Sequence, residues 1–536
     1  MNARQNTFAK ISRLTEAGKL KQAEHLALAA QKQYPREFFL HNILGAIHGM
    51  RGEWRESSKY FSKAVKIAPK SFEGFRNLGN AERNLSNLNA AQKHLTKALS
   101  IKAAFPEGWL SLGLVYLDKM ENQKAIAAFE KALALKPDFD VAALNLFTTL
   151  ERMNEVENLR IWVSKFEKAS NNHPIAQLFQ AALLNRDQKL EPARDILKGL
   201  KFSQNRTHGD LMMELTRVNL LSKIEGKLGN YKDAYALFDQ SNALNAKASK
   251  SGDHSAERYM AGLDRRLDYF QKGFSKSWTP IELPAESPVF LVGFPRSGTT
   301  LLETFLGGHS QIAISDERPL VRALTGALGT SWGQDLQKLE SLDDKSASKA
   351  RKAFWSEWRK YNGQSDVKID KLPLNLVYAA EILRVFPNAK FILALRDPAD
   401  AVLSCFMQSF KLNDAMATFE TTLSTAQTYD RAMGLWQSYT EELSPAVFTC
   451  KYEDIVTDKE PVLRGLMEFL ELDWQENILD HLTSIKTRAD IRTPSYAQVA
   501  QPLYTSAMQR WKHYEHLMPE ALEIIQPWRK HFGYSD

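Results

Sequence analysis

Small and apolar residues recur along the first part of the chain with a step of 34 positions. Gly45, Gly79 and Gly113 keep that step, each preceded by leucine (Leu44, Leu78, Leu112). Ala30, Ala64, Ala98 and Ala132 keep it too, as do Phe61, Leu95 and Phe129. Pro35, Pro69 and Pro137 share one register, with Ala103 at the missing position. A period of this length predicts stacked helix pairs. Glycine lets two helices approach closely, alanine does the same from the second helix, and proline stops that helix before the next turn. A single pair cannot bury its apolar face, so the pairs stack into a superhelix. The register is regular over residues 6–140 and loosens afterwards, where Pro174 follows Pro137 by 37 residues. A further unit begins at Lys223 (KIEGKLGNYKDAYALFDQSNAL), giving an expected total of about six or seven pairs.

Beyond residue 250 the pattern changes. Residues 251–287 read as a linker with one helix, ending in the proline-bearing SWTPIELPAESP. From Pro288 short apolar runs alternate with helical spacing. Strands are predicted over 289–292, 367–370, 389–395 and 446–452, and helices from Thr299 and over 374–386, 399–410 and 462–470. The expected fold is an α-solenoid over 1–250 followed, over 288–536, by a P-loop-like α/β domain whose parallel sheet takes ligands at its carboxyl ends.

The first strand leads into the most informative stretch, PVFLVGFPRSGTTLLETFL from Pro288 to Leu306. Strand, glycine-bounded loop and helix N-terminus form a cradle in which backbone N–H groups and the positive helix end face an anion. The spacing Gly293-x4-Gly298 matches the first half of a nucleotide P-loop, but Thr299 stands where that motif needs lysine. Thr300 keeps the hydroxyl, and Arg296 supplies a fixed positive charge. At other predicted strand ends stand Arg396-Asp397-Pro398, with Ser404 eight residues after Arg396, and Asp370-Lys371-Leu372-Pro373. Arg396 and Ser404 can converge on a second phosphate or form a surface pair and a plain helix serine. Lys371 reads as a mobile loop charge able to meet a leaving oxygen, or as a solvated lysine. Glu317, in ISDERP, reads as a general base or as a helix-capping acid.

The chain of 536 residues has a net charge of +7, which suits anionic ligands but lacks the dense basic clustering of a nucleic-acid binder. Two cysteines, Cys405 and Cys450, exclude a disulfide framework. A polar N-terminus and the absence of an 18-residue apolar run point to no integral membrane segment and to a reducing cytoplasm.

The N-terminal array resembles the tetratricopeptide repeat. The four motifs at Arg296, Glu317, Lys371 and Arg396, with the loop Thr493-Pro494-Ser495-Tyr496 ahead of Arg510-Trp511, together resemble over Pro288–Trp528 the sulfotransferases that use 3′-phosphoadenosine 5′-phosphosulfate, the protein-tyrosine sulfotransferases in particular. The resemblance implies that Arg296, Ser297, Gly298, Thr299 and Thr300 bind the 5′-phosphosulfate and that Arg396 and Ser404 bind the 3′-phosphate. It assigns Glu317 as base, Lys371 and Ser495 to the bridging oxygen, and Tyr452 and Arg510 to the nucleotide. Gln408 stands where that family has a further arginine, and Arg510 where it has lysine. No metal is implied. The activity implied is sulfuryl transfer to an acceptor hydroxyl, with protein tyrosine the first choice and a glycan, lipid or small metabolite the alternatives. The solenoid is expected to hold the acceptor protein or peptide, with Asn42, Asn77, Asn80 and Arg83 as a backbone clamp or merely a solvated ridge. Oligomeric state is left open. Competing classes are a P-loop kinase or NTPase, opposed by Thr299 and the lack of a magnesium-binding aspartate, and a non-catalytic repeat adaptor.

Overall fold

A computed structural model describes residues 3–200, 202, 208–249, 254–331, 334–480 and 507–534. The chain divides into two compact units, residues 1–201 and 202–536.

The first unit is a helical array running from α1 (Ala3–Glu16) to α12 (Leu190–Gly199), which makes six helix pairs among the described residues. The periodic glycines mark the closest helix contacts. A Cβ at Gly45 would lie 2.8 Å from the Phe61 ring, one at Gly79 2.7 Å from Leu95, and one at Gly113 2.4 Å from Phe129. The two 34-residue series therefore face each other within each pair. The stepped alanines Ala64, Ala98 and Ala132 are fully buried. In the next repeat Phe147 takes the glycine position and packs against Phe166 and Phe179, with ring centroids 5.8 and 5.2 Å away. An aromatic cluster replaces close backbone approach there, which explains the loosened register. On the ridge, Asn77 Nδ2 donates to Asn42 Oδ1 at 3.0 Å and Arg83 pairs with Asp118, so these groups bond one another along the array.

The second unit opens with α13 (His208–Lys227) and α14 (Tyr231–Ala248), the pair assigned from sequence to the solenoid. The unit boundary thus falls near residue 201 rather than 250. The reason is packing. Tyr235 and Phe238 pack on the Phe406 ring, and Tyr235 Oη lies 2.8 Å from Thr422 Oγ1. Asn242 Nδ2 donates to the carbonyls of Phe406 and Glu420, and Asn245 Nδ2 to that of Phe410. Helix α15 (Ala256–Gln271) adds the fully buried pair Arg266 Nη1–Glu381 Oε1 at 2.6 Å.

The sheet has five parallel strands: β1 (Val289–Gly293), β2 (Ile312–Asp316), β3 (Val367–Lys371), β4 (Lys390–Leu395) and β5 (Ala446–Lys451), in the order β2-β3-β1-β4-β5. β1 is central and buried along its whole length, as its unbroken apolar run predicts. β2 was not foreseen. It is an edge strand reading IAISD and only partly buried, so it carries no apolar run. Among the described residues no helix is long and apolar enough to cross a membrane.

Candidate anion cradle and charged cluster

The β1 exit turns into α16 (Thr299–Leu306) within five residues. Gly293 is required by its neighbour: an added Cβ would stand 2.4 Å from the Ala394 carbonyl oxygen on β4. Gly293→Ala must push β1 and β4 apart, so it is expected to cost about 1–3 kcal/mol of stability, checked by urea unfolding. Gly298 caps the helix at φ +99, and a Cβ there would meet the Tyr452 ring at 3.0 Å. Arg296 itself adopts φ +70, a left-handed conformation uncommon outside glycine. Ser297, Thr299 and Thr300 are buried along the loop and first turn.

Helix α20 (Pro398–Phe406) starts from the β4 exit. Arg396 and Asp397 are buried rather than a surface pair. Asp397 caps α20 by accepting the Ala399 N–H at 2.9 Å and takes Arg529 Nε at 3.1 Å. Arg396 turns towards the cradle: Nη1 donates to the Arg296 carbonyl at 3.2 Å, and the guanidinium lies 4.9 Å from the centre of the Tyr452 ring. Arg296 Nε donates to Ser404 Oγ at 3.1 Å. The loop arginine, the strand-exit arginine and the helix serine thus meet at one place. Arg396 Nε is buried with no hydrogen-bond partner among the described residues. Tyr452 begins a short helix, α22 (Tyr452–Thr457), instead of ending β5.

Arg510 opens a 3-10 turn whose flanking residues are tied to α20: Asp400 accepts the N–H of Gln509 at 2.7 Å and of Trp511 at 2.9 Å. Burial raises the Asp400 carboxyl to about 6, against the pull of Arg396 and those two N–H groups. The Arg510 side chain lies by Tyr514 and α13, close enough to Lys227 to help hold that ammonium below the usual lysine range, after burial. The loop holding Ser495 lies outside the described residues.

Lys371 differs most from expectation. It is the last residue of β3, fully buried, and not a mobile loop charge. Its register partner is Asp316 on β2. Its Nζ lies 2.5 Å from Asp316 Oδ1, 3.0 Å from Glu303 Oε2 and 3.2 Å from Glu317 Oε1. Burial opposes the charge, but the three carboxylates outweigh it and hold the ammonium above the ordinary lysine range. Glu317 does not cap a helix. It sits at φ +48 just past β2, and its N–H donates to the Lys371 carbonyl at 2.9 Å. The adjacent Arg318 stacks on Tyr361 at 3.9 Å. Asp370 faces Asn375 Nδ2 at 2.9 Å, and burial raises its carboxyl to about 8.

Sequence reasoning missed Glu303 and gave no role to Asp316, the carboxylate next to Glu317. A signal for Glu303 existed: it is the single charged residue in TTLLETFL.

Residues 288–476 match the sulfotransferase family, and residues 106–139 match the tetratricopeptide repeat. The C-terminal part of the chain is thus similar to sulfotransferases, and its N-terminal part to tetratricopeptide repeats. The chain is 26% identical over 315 residues to an uncharacterised protein of Aquifex aeolicus, a match covering 57% of this chain and 41% of that protein, so the shared part spans well under half of that relative. Over the C-terminal half it is similar to protein-tyrosine sulfotransferase 1 of Danio rerio, 26% identical over 269 residues, covering 48% of this chain and 75% of the relative. A solved tetratricopeptide repeat protein from Parabacteroides merdae aligns over 46% of this chain and 94% of its own at 16% identity, with a TM-score of 0.36.

Proposed function

We propose that the protein is a sulfotransferase that takes 3′-phosphoadenosine 5′-phosphosulfate as donor and an acceptor hydroxyl, protein tyrosine first, as acceptor. The observation that carries the reading is the junction of Arg296, Arg396 and Ser404 beyond the carboxyl ends of the neighbouring strands β1 and β4. A nucleotide phosphorylated at two positions fits such a junction, and the buried Arg396 Nε supplies an unused donor to it. When bound, the donor supplies an activated sulfuryl group. The loop N–H groups and Arg296 hold its charged end. Glu317 takes the proton of the acceptor hydroxyl, a contribution of about 10²–10⁴-fold for a placed base. The Lys371 ammonium, 3.2 Å from Glu317, would turn one N–H from its carboxylate partners to the departing oxygen. Ser495 is proposed to share that role. Thr299, at the position of the P-loop lysine, supports sulfuryl rather than nucleotide phosphoryl transfer.

The tetratricopeptide array supports a protein acceptor, since stacked repeats offer long concave binding surfaces. Both cysteines are free and buried, which suits a reducing cytoplasm.

The test is incubation of the protein with radiolabelled donor and a lysate of the source cell, followed by identification of what becomes labelled. Label on tyrosine in a protein is expected. Label only on glycan, lipid or metabolite moves the acceptor, and no label removes the reading. In a melting assay, 3′,5′-adenosine bisphosphate is expected to raise Tm by several degrees and ATP with Mg²⁺ much less. Equal shifts would favour an ordinary nucleotide enzyme.

A further inference from the structure

We propose that Glu303 is a positioning residue that holds the Lys371 ammonium from α16, fixing it beside Glu317 and the anion cradle. The inference rests on the sulfuryl-transfer reading of the site.

Glu303 is an outlier in its helix. Its neighbours in Thr299–Leu306 are apolar or hydroxyl residues, all eight positions are buried, and Glu303 itself is 2% exposed. A carboxylate is costly in such a place unless paired with a charge. Its partner is Lys371 Nζ at 3.0 Å. The groups facing that ammonium are Glu303 from α16 and Asp316 and Glu317 from the β2 exit, while Asp370 on β3 is engaged by Asn375. Glu303 is the one of these three carboxylates that comes from a helix, so without it the ammonium is held from the β2 exit alone. Glu303 also fixes Lys371 from the helix that carries the cradle, which links the ammonium's position to the loop at Arg296.

Glu303→Gln keeps the shape and removes the charge. Two measurements on the full chain test it. First, solvent exchange of the Lys371 ammonium protons, followed by NMR of ¹⁵N-lysine-labelled protein, is expected to rise at least about tenfold, because one of three anchors is gone. Second, kcat for sulfuryl transfer is expected to fall about 10–100-fold while KM for the donor changes less than about threefold, since the cradle itself is untouched. Glu303→Asp, which restores the charge one methylene short, should recover part of both changes. A role in packing alone leaves the exchange rate where it is or raises KM along with the fall in kcat, and either result overturns the proposal. If the unaltered protein transfers no sulfuryl group, the function reading fails, while the exchange measurement still decides whether Glu303 holds Lys371.

Discussion

Arg296→Ala is expected to lower sulfuryl transfer by at least about 10²–10³-fold, the usual cost of removing one preorganised donor from a developing charge, while the protein stays folded. Three features set this size. The guanidinium is the fixed cation of a loop that lacks the P-loop lysine. Its Nε donates to Ser404, so its loss also loosens the second subsite. Its backbone carbonyl is the acceptor for Arg396, so the residue's position is built into the site independently of its side chain. Alanine keeps that carbonyl, and the left-handed φ at this position costs alanine about what it costs arginine, since both carry a Cβ. Melting temperature without ligand should therefore change little, whereas the stabilisation by 3′,5′-adenosine bisphosphate should largely vanish. Arg296→Lys is a sharp control. An ammonium carries the charge but not the planar fork that reaches Ser404 and an anion together, so it should recover only a small part of the rate. Full activity of either variant would remove Arg296 from the site.

The repeat period, the parallel α/β sheet and the cradle were legible because each leaves a local mark: a 34-residue step, an unbroken apolar strand, and glycines at fixed separation. The glycine series and the series Phe61, Leu95 and Phe129 share the period, but that they face each other is visible only in the structure. What local sequence could not show was strand register. Lys371 looked like a loop residue because Leu372-Pro373 follows it at once. Parallel pairing of β3 with an edge strand that has no apolar run places it opposite Asp316 and turns it into a buried ammonium. The left-handed conformations of Arg296 and Glu317 were equally hidden, since neither residue type announces one. They occur at the two positions where the chain leaves a strand and must turn a charged side chain towards the cradle or towards Lys371. Such backbone strain is commonly held at functional sites by surrounding structure.

The boundary of the catalytic unit gives the second large effect. A chain starting at residue 202 is expected to unfold cooperatively, and one starting at 251 to aggregate or lose its transition. Helix α14 reads as one more repeat helix, yet its inner face completes the core of the second unit. Phe238 is 1% exposed and belongs to the same apolar cluster as Phe406 and Tyr429. Removing the pair α13 and α14 uncovers that surface. It also strips the carbonyls of Phe406, Phe410 and Glu420 of the amide donors of Asn242 and Asn245. Phe406 ends the helix that carries Ser404, so the damage reaches the anion site directly. The single substitution Phe238→Ala isolates the packing part. Truncating a fully buried phenylalanine costs about 3–5 kcal/mol, a large share of a domain's total stability. The variant should therefore show a clearly lower urea midpoint for the second unit, with the array of residues 1–201 unfolding as before. If the chain from 251 instead melts in one sharp step at the temperature of the longer one, α14 is a solenoid helix after all, and the catalytic unit begins where its sequence pattern first places it.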